Sequence, residues 1–317
     1  ASARHDAYVV ARGPERRYAE PPPPPFTTSA MQQAASSTLG MSPKRAMAVC
    51  QKLYEAGHIT YMRTDSETLA PEFVAAAAGA VRMRYGGAYL GQRLALLSAR
   101  SKEAGAGGAQ EAHEAIRPTH AGRLSLGETV ERAEARMYDM IWKRAVGACM
   151  APAQERRMAV TVAAAQNRKF THDAREILFP GWKVLHGETS EGAAAAFRLL
   201  QQLTVGADST LPPRAITATA TLRGTKCHYA EAGLIKQLES RGIGRPSTFA
   251  SLVAKLQERG YTRLGDVPGR RVHCREYRLE QGDKAFTVTT TEKQLGAERK
   301  KLVLQPLGRT VADLLVE

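Results

Sequence analysis

The chain lacks several features that mark common classes of protein. Its four cysteines lie far apart and none forms a C-x-x-C pair, which argues against a zinc site built from them. No apolar run approaches the roughly 18 residues needed to cross a bilayer. The N-terminus also has no apolar block of the kind found in signal peptides. We therefore expect a soluble intracellular chain with no membrane partner and with reduced, mostly packed thiols.

Acidic motifs for metal binding are also missing. No D-x-D occurs among the eight Asp residues. The zinc-protease signature H-E-x-x-H is excluded, because the position of its second histidine is occupied by Arg117. We expect no metal site within this chain.

The chain has fewer acidic than basic residues. The 317 residues contain 45 Lys and Arg against 31 Asp and Glu, a net charge of +14, which favours a polyanionic partner such as nucleic acid. A basic solvated surface without a partner is the alternative. Aromatic residues make up only 6% of the chain, so a nucleic-acid groove would depend on charge more than on base stacking.

The first half of the chain carries helix signals. Residues 1–26 are predicted to be a linker or edge segment, because Pro21–Pro25 favours a stiff, extended connector. One helix is predicted after a cap at Ser42, ending at Gly57. A second is predicted over Pro71–Arg84. A long amphipathic helix is predicted over about Glu128–Cys149, with Trp142 in the core and an apolar stripe of Val130, Met137, Ile141 and Ala145.

The second half of the chain changes in character. Between Arg156 and Arg223, short alternating or β-branched runs separated by Gly, Pro and Asn predict strands. From Glu231 the pattern is helical again. A helical block is therefore followed by a β-rich block and then by more helices.

The run Ile59–Ser66, ITYMRTDS, places a tyrosine two residues before an arginine. If the run is an extended strand, alternate side chains share a face, so Tyr61 and Arg63 point the same way. A guanidinium beside a phenol stabilises the charge that develops when the phenol oxygen acts as a nucleophile. The pair suits attack on phosphate, although most tyrosines only pack or form local hydrogen bonds.

The run GIGRPSTF at 242–249 has the residues expected at the start of a phosphate-binding helix. Its two glycines let the backbone approach a ligand closely, and Pro246 suits the first turn of an amphipathic helix that ends before Gly260. The free N–H groups of that helix start, with the nearby polar side chains, form a natural phosphate seat. The alternative is a capped helix that binds nothing.

Two further runs accompany these, QQAAS at 32–36 and QEAHEAIRPT at 110–119. Together, and in their order along the chain, the four runs resemble the signatures of the bacterial type IA DNA topoisomerases. The resemblance extends from about Phe26 to the C-terminus. Met62 and the run Arg245–Thr248 are more similar to the topoisomerase I branch than to the topoisomerase III branch.

The resemblance implies a mixed α and β, multidomain fold that forms part of a toroid. Residues 27–120 would be a helical domain that carries the tyrosine and is inserted in a β-rich arch. Residues 121–225 would be that arch with a leading helix, and residues 226–317 part of a helical, DNA-binding base domain.

The resemblance also assigns roles to individual residues. Tyr61 would attack a DNA backbone phosphate, and Arg63 would bind that phosphate and stabilise its transition state. Glu111 and Asp65 would support the site, and Glu111 with Arg117 would also orient His113. Asp65, with Thr64 and Ser66, equally suits a turn that caps the next helix. Contacts to DNA phosphates are expected from His113, Arg117, Arg245, Ser247, Thr248 and Gln33. A structural role is the alternative for His113, and plain packing for Gln32 and Gln33.

Members of this family relax negatively supercoiled DNA by cutting one strand through a 5'-phosphotyrosyl bond, without ATP. The partners implied are single-stranded and negatively supercoiled DNA, bound by a monomer in the cytoplasm or nucleoid, with an organelle left open. Such an enzyme also needs Mg²⁺ on an acidic, nucleotidyl-transferase-like (Toprim) domain that these residues do not include. We also expect the opening strands of the arch to be absent, and therefore an incomplete enzyme that cannot cleave DNA alone.

Three other classes of protein are alternatives to a type IA topoisomerase. The first is a non-catalytic single-stranded DNA-binding module derived from the same scaffold. A tyrosine recombinase is disfavoured because its H-x-x-R motif followed by a C-terminal tyrosine is missing, and a relaxase because no histidines are paired around a hydrophobic residue.

Overall fold

The computed structural model describes residues 9–92, 94–98, 114–127, 130–164, 168–188, 191–202, 206–210, 215–221, 227–280 and 282–316. The first half holds two strands and then helices: β1 (Val9–Arg12), β2 (Arg16–Glu20), α1 (Thr28–Ala34), α2 (Pro43–Glu55), α3 (Pro71–Tyr85), α4 (Leu94–Ser98) and α5 (Arg132–Ala148). A π-helix, Ala35–Leu39, directly continues α1.

The second half is mainly β. Its elements are β3 (Ala153–Ala164), β4 (Arg168–Phe179), α6 (Glu191–Gln202), β5 (Gly206–Thr210), β6 (Ala215–Ala218), α7 (Glu231–Ser240), α8 (Phe249–Glu258), β7 (Thr262–Val267), β8 (Arg270–Glu280), β9 (Thr287–Leu295), β10 (Glu298–Leu304) and α9 (Pro306–Val316). A 3-10 helix, Gly181–His186, follows β4.

The helices predicted from caps and stops are confirmed. The Ser42 hydroxyl accepts the N–H of Arg45 at the start of α2, and Gly57 beyond its end has a φ of 71°. Helix α3 begins with Pro71 and stops at Gly86, whose φ is 93°. A left-handed or otherwise positive φ costs glycine little, which is why these positions end the helices.

Helix α5 is shorter than predicted, because it begins at Arg132 rather than near Glu128. Of the predicted stripe, Met137, Ile141 and Ala145 are buried on α5, whereas Val130 precedes the helix and is only half-buried. Trp142 also lies in the core, 5% exposed, and its Nε1 donates to the carbonyl of Ala121 at 2.8 Å. This stripe joins residues of α1, α2 and α3 in the largest apolar cluster of the described chain.

Of the two alternatives predicted for residues 1–26, the linker is wrong and the edge segment fits, because residues 9–20 form two strands and β2 lies at an edge of their sheet. Strands β1 and β2 both pair antiparallel with β3, whose other side pairs with β4, and β5 lies beside β1. Strands that precede the helical block and strands that follow it therefore share one sheet, so the expectation that opening strands are absent is also wrong. At four and five residues, β1 and β2 are too short for a clear alternation of apolar and polar residues.

The predicted strands between Arg156 and Arg223 are present as β3, β4 and β6, but that region also holds α6, which the sequence reading missed. Ala194 and Phe197 of this helix are buried, and Phe197 packs with Val10 and Met158 of the sheet.

The prediction of a helical base for residues 226–317 is wrong in part. Helices α7 and α8 are confirmed, but residues 262–304 form the strands β7 to β10. Strand β6 pairs with β8, so the predicted boundary at residue 225 divides a sheet. These strands are polar and largely exposed, which removes the periodic apolar signal that identifies a strand.

Among the described residues, no helix combines the length and apolar character required to traverse a bilayer.

Candidate active site and nucleic-acid interface

The segment that carries Tyr61, residues 59–69, runs between two other parts of the chain. On one side the N–H of Thr28 donates to the carbonyl of Thr64 at 2.9 Å. On the other side the N–H of Thr60 donates to the carbonyl of Arg117 at 2.9 Å. The expected strand is wrong, because the segment has only an isolated bridge between Ile59 and Pro118 and no regular ladder. Its backbone is nevertheless fixed on both sides.

The hydroxyl of Thr28 adds to this support. It donates to the carbonyl of Met62 at 2.7 Å and accepts the N–H of Thr64 at 2.8 Å. Thr28 is 0% exposed, so these bonds do not compete with water. One buried hydroxyl thus fixes the backbone on both sides of Arg63.

Burial alternates along the Tyr61 segment. Met62 and Thr64 are buried at 1% and 2% exposure, whereas Arg63 and Asp65 are exposed and Tyr61 is half-buried. This is the alternation expected of extended backbone. The Tyr61 ring also packs edge-on against Tyr54, with centroids 5.3 Å apart at 65°.

Thr64 and Ser66 hold the local turn rather than the helix that follows. Ser66 N–H donates to Thr64 Oγ1 at 3.0 Å, and Thr68 N–H donates to Ser66 Oγ at 3.2 Å. Helix α3 has no side-chain cap from its N-cap residue Ala70, so capping by residues 64–66 is wrong. The N–H of Ala70 instead donates to Glu114 Oε2 at 3.1 Å. The role of Asp65 stays a prediction.

Arg117 is engaged within the helical block. Its guanidinium forks onto both carboxylate oxygens of Glu114, at 2.8 and 2.7 Å, and also donates to the carbonyl of Pro118 at 3.0 Å. It lies 4.8 Å from the centre of the Phe73 ring. The phosphate contact assigned to Arg117 stays a prediction, and the geometry suits a support for residues 59–69. Glu111 and His113 lie outside the described residues.

Gln33 belongs to a polar chain that links α1 to α7. Its Nε2 donates to Ser29 Oγ at 2.9 Å, and that hydroxyl donates to Glu239 Oε2 at 2.5 Å. The neighbouring Gln32 is 0% exposed, and its amide has no hydrogen-bond partner among the described residues. Ser29, Glu114 and Glu239 were not found from the sequence, because single polar residues carry no pattern.

The turn at 242–249 is held mostly by its own atoms. Gly242 and Gly244 have φ of 68° and 90°, and a Cβ on Gly244 would come within 3.0 Å of the Leu252 side chain. Thr248 Oγ1 accepts the N–H of Arg245 at 2.8 Å, so one of the expected free donors is already used. Helix α8 begins at Phe249, so the prediction that Pro246 lies in its first turn is wrong.

Arg245 and Ser247 are exposed on this turn, as a phosphate contact requires. Helix α8 packs on α2, and α7 packs on α1, so the turn between α7 and α8 is attached to the helical block that carries Tyr61. Their contacts with DNA stay predictions.

The described residues contain no group of three His, Cys, Asp or Glu side chains that could hold a metal ion. Burial raises the pKa of both Cys50 and Cys149 to about 12, so these thiols are packed and unreactive. Cys274 is also buried, which confirms the prediction of mostly packed thiols, and Cys227 is exposed.

The family model described as DNA topoisomerase matches residues 2–270. The chain therefore belongs to the DNA topoisomerase family.

Within that family the chain is similar to DNA topoisomerase 1 of Synechococcus elongatus, with 39% identity over 231 residues, 71% of this chain and 25% of the relative. DNA topoisomerase 1 of Pseudomonas aeruginosa is 38% identical over 268 residues, 80% of this chain and 28% of the relative. The full-length topoisomerase I from Thermotoga maritima shares the fold with a TM-score of 0.64 and 28% identity, over 82% of this chain and 42% of that one. The chain spans about a quarter of the length of these two curated relatives.

Proposed function

We propose that this chain supplies the DNA-cleaving tyrosine of a type IA DNA topoisomerase that relaxes negatively supercoiled DNA. The phenol oxygen of Tyr61 attacks a backbone phosphorus of single-stranded DNA as its proton leaves. The bond from phosphorus to the 3' oxygen breaks, that oxygen takes up a proton, and the 5' phosphate stays esterified to Tyr61. Reversal of the step reseals the strand, and no ATP is required because the phosphodiester energy is retained.

One observation carries this proposal: Tyr61 and the exposed Arg63 lie on a backbone that is fixed from both sides, by buried hydrogen bonds to Thr28 and by a half-buried one to Arg117. Accurate placement of a nucleophile is a large part of enzymatic rate enhancement, and side chains on fixed supports achieve it best. Arg63 binds the scissile phosphate, because a guanidinium fork matches phosphate oxygens and stabilises the charge of the transition state.

The DNA strand then extends from Tyr61 toward the turn between α7 and α8. Arg245, Ser247, Thr248 and Gln33 contact its phosphates, with His113 nearer the cleavage site. Glu111, Asp65 and the Glu114–Arg117 pair support the segment. The net charge of +14 suits a phosphate-dominated interface, which is sensitive to salt and tolerant of sequence.

The proposal includes a monomer that works in the cytoplasm or nucleoid. It also assigns Mg²⁺ and the proton for the leaving 3' oxygen to an acidic domain outside these residues. Magnesium on such a domain would stabilise charge on the DNA phosphates. No step of the proposal passes through a metal held by this chain.

Tyr61→Phe tests the proposal in the complete polypeptide in which this chain occurs. We expect loss of supercoil relaxation and of the covalent adduct with a 3'-labelled oligonucleotide, by at least about a thousandfold, because the nucleophile is gone. Tyr85→Phe, which removes a hydroxyl from α3, is the matched control and should change neither. Unchanged relaxation by Tyr61→Phe would instead support a DNA-binding module without chemistry.

A second experiment tests the requirement for the acidic domain. The 317-residue chain alone, incubated with Mg²⁺ and a single-stranded oligonucleotide, should bind DNA but form no adduct that survives denaturing electrophoresis. A stable adduct at Tyr61 would show that the chain contains a complete cleavage site.

A further inference from the structure

A cavity of about 700 Å³ lies between α5, the π-helix and the 3-10 helix at 181–186. This volume falls within the range of sites that hold small ligands, roughly 300 to 1,000 Å³. Neither Tyr61 nor Arg63 lines it, and the turn at 242–249 does not reach it. The cavity is therefore separate from both parts of the proposed cleavage site.

One wall of the cavity is the charged face of α5. It contributes four cations, Arg132, Arg136, Lys143 and Arg144, and a single carboxylate, Asp139. Asp139 forms an ion pair with Lys143 at 2.8 Å. The charged face of an amphipathic helix normally meets water. Here these cations line a cavity, and their excess positive charge favours an anionic ligand.

The opposite wall is apolar and contains an aromatic ring. Leu39 and Trp182 line it, and Met140 of α5 adds a further apolar side chain to the lining. Trp182 is half-buried, and its Nε1 donates to the carbonyl of Glu20 at 3.2 Å, which fixes the orientation of the indole. A fixed aromatic ring beside an apolar surface suits a flat aromatic group such as a nucleobase.

The cavity is held in shape from its edges. Arg144 donates through Nε to the carbonyl of Pro24 at 2.6 Å and lies 4.6 Å from the centre of the Phe26 ring. Arg136 reaches across to the carbonyl of Thr38 at 3.5 Å. Thr38 belongs to the π-helix, a rare conformation that often occurs at functional sites.

We propose that this cavity binds one nucleotide unit of single-stranded DNA, with its base against Trp182 and its phosphate on Arg132, Arg136 and Lys143. The inference goes beyond the proposed function by adding a second DNA contact away from Tyr61. It rests on that function only in taking DNA as the partner. An anionic group beside an aromatic ring is the chemistry that the two walls match.

Trp182 supplies the measurement, because the other tryptophan, Trp142, is only 5% exposed. Titration of the full chain with the dinucleotide pdTpdT should quench tryptophan fluorescence to saturation, and Trp182→Phe should abolish the change. Arg132→Ala and Arg136→Ala, both at exposed positions, should each weaken apparent binding about tenfold through a lost charge-assisted contact. Arg82→Ala removes one charge from an exposed position of α3 and serves as the control. It should change apparent binding of the dinucleotide less than about twofold.

Absence of saturable quenching, or an equal effect of Arg82→Ala, overturns the site. Parallel titrations with ATP and with an oligothymidylate of eight nucleotides distinguish free nucleotides from a DNA strand. Quenching by ATP without quenching by the oligonucleotide overturns DNA as the occupant. Tyr61→Phe should keep the dinucleotide signal, so failure of the cleavage proposal and failure of this site are separable.

Discussion

The segment that carries Tyr61 and the turn at 242–249 are both candidate contacts to DNA phosphates, yet they are held in different ways. Residues 59–69 have no regular structure, and their backbone bonds reach Thr28 and Arg117, which are distant in sequence. In the turn, Thr248 bonds to Arg245, three residues away. The first segment depends on tertiary structure and the second mostly on local geometry.

The apolar clusters beneath the two segments differ in size. The Tyr61 segment lies on the large apolar cluster of α1, α2, α3 and α5. The turn lies beside a cluster of four buried side chains, Ile235, Phe249, Val253 and Leu302. A nucleophile needs a fixed position, whereas phosphate contacts on an exposed turn tolerate small movements, so the two kinds of support suit the two proposed roles.

The largest expected difference between the segments is in cleavage. Arg63→Ala should slow adduct formation about a hundredfold, because a transition-state charge contact is lost. Arg245→Ala should cost about tenfold, mainly in binding, and should make the salt dependence of binding less steep. Both are measured with a 3'-labelled oligonucleotide and the complete polypeptide, as a function of DNA and salt concentration. Equal losses at saturating DNA would contradict the division of roles.

The second difference is in stability. Thr28→Val leaves the buried N–H of Thr64 without its side-chain partner, and we expect the free energy of unfolding to fall by about 2 kcal/mol. Thr248→Val removes a bond at an exposed turn, where water replaces it, and should cost less than about 1 kcal/mol.

Urea unfolding of the two threonine variants provides the comparison. The same order should hold in a thermal melt. A larger loss for Thr248→Val would show that the turn, and not the Tyr61 segment, depends on buried support.

The smallest expected effect is the loss of stability in acid. It arises at Glu155 in strand β3 of the sheet and not in either of the two segments. Burial alone would raise the pKa of Glu155, but hydrogen bonds from Lys183 and Arg157 outweigh it and hold that pKa below its ordinary value. The unfolded chain therefore binds more protons as the pH falls below that ordinary value. The stabilisation is complete above it and is lost as the pH falls through the folded pKa.

Glu155→Gln should lower stability at pH 7 and make the decline below about pH 4.5 shallower, as measured by urea unfolding at several pH values. Glu72→Gln, at an exposed position of α3, should follow the wild-type curve. A Glu155→Gln curve parallel to the wild type would exclude the ion pair as a source of acid sensitivity.

Local chemistry made much of the helical block predictable. Ser42 and Pro43 start α2, Gly57 follows it, and Gly86 stops α3, because caps and positive φ are properties of single residues and their neighbours. The buried stripe of α5 was predictable for a similar reason, since its period is set by the helix itself.

The polar strands β7 to β10 were missed for the converse reason. Thr287–Leu295 is mostly exposed and carries no apolar alternation, so only pairing with β8 makes it a strand. Strands β1 and β2 likewise depend on β3, which lies beyond the whole helical block.

The family, the candidate nucleophile Tyr61 with Arg63, and most helix ends could be predicted from the amino-acid sequence, because each depends on residues that are neighbours along the chain. Three contacts became visible only in the folded chain: Thr28 fixes the backbone around Arg63, Glu114 engages Arg117, and the cations of α5 line a cavity. Such contacts join residues from different parts of the chain, and their partners are chosen by packing, which no local pattern records.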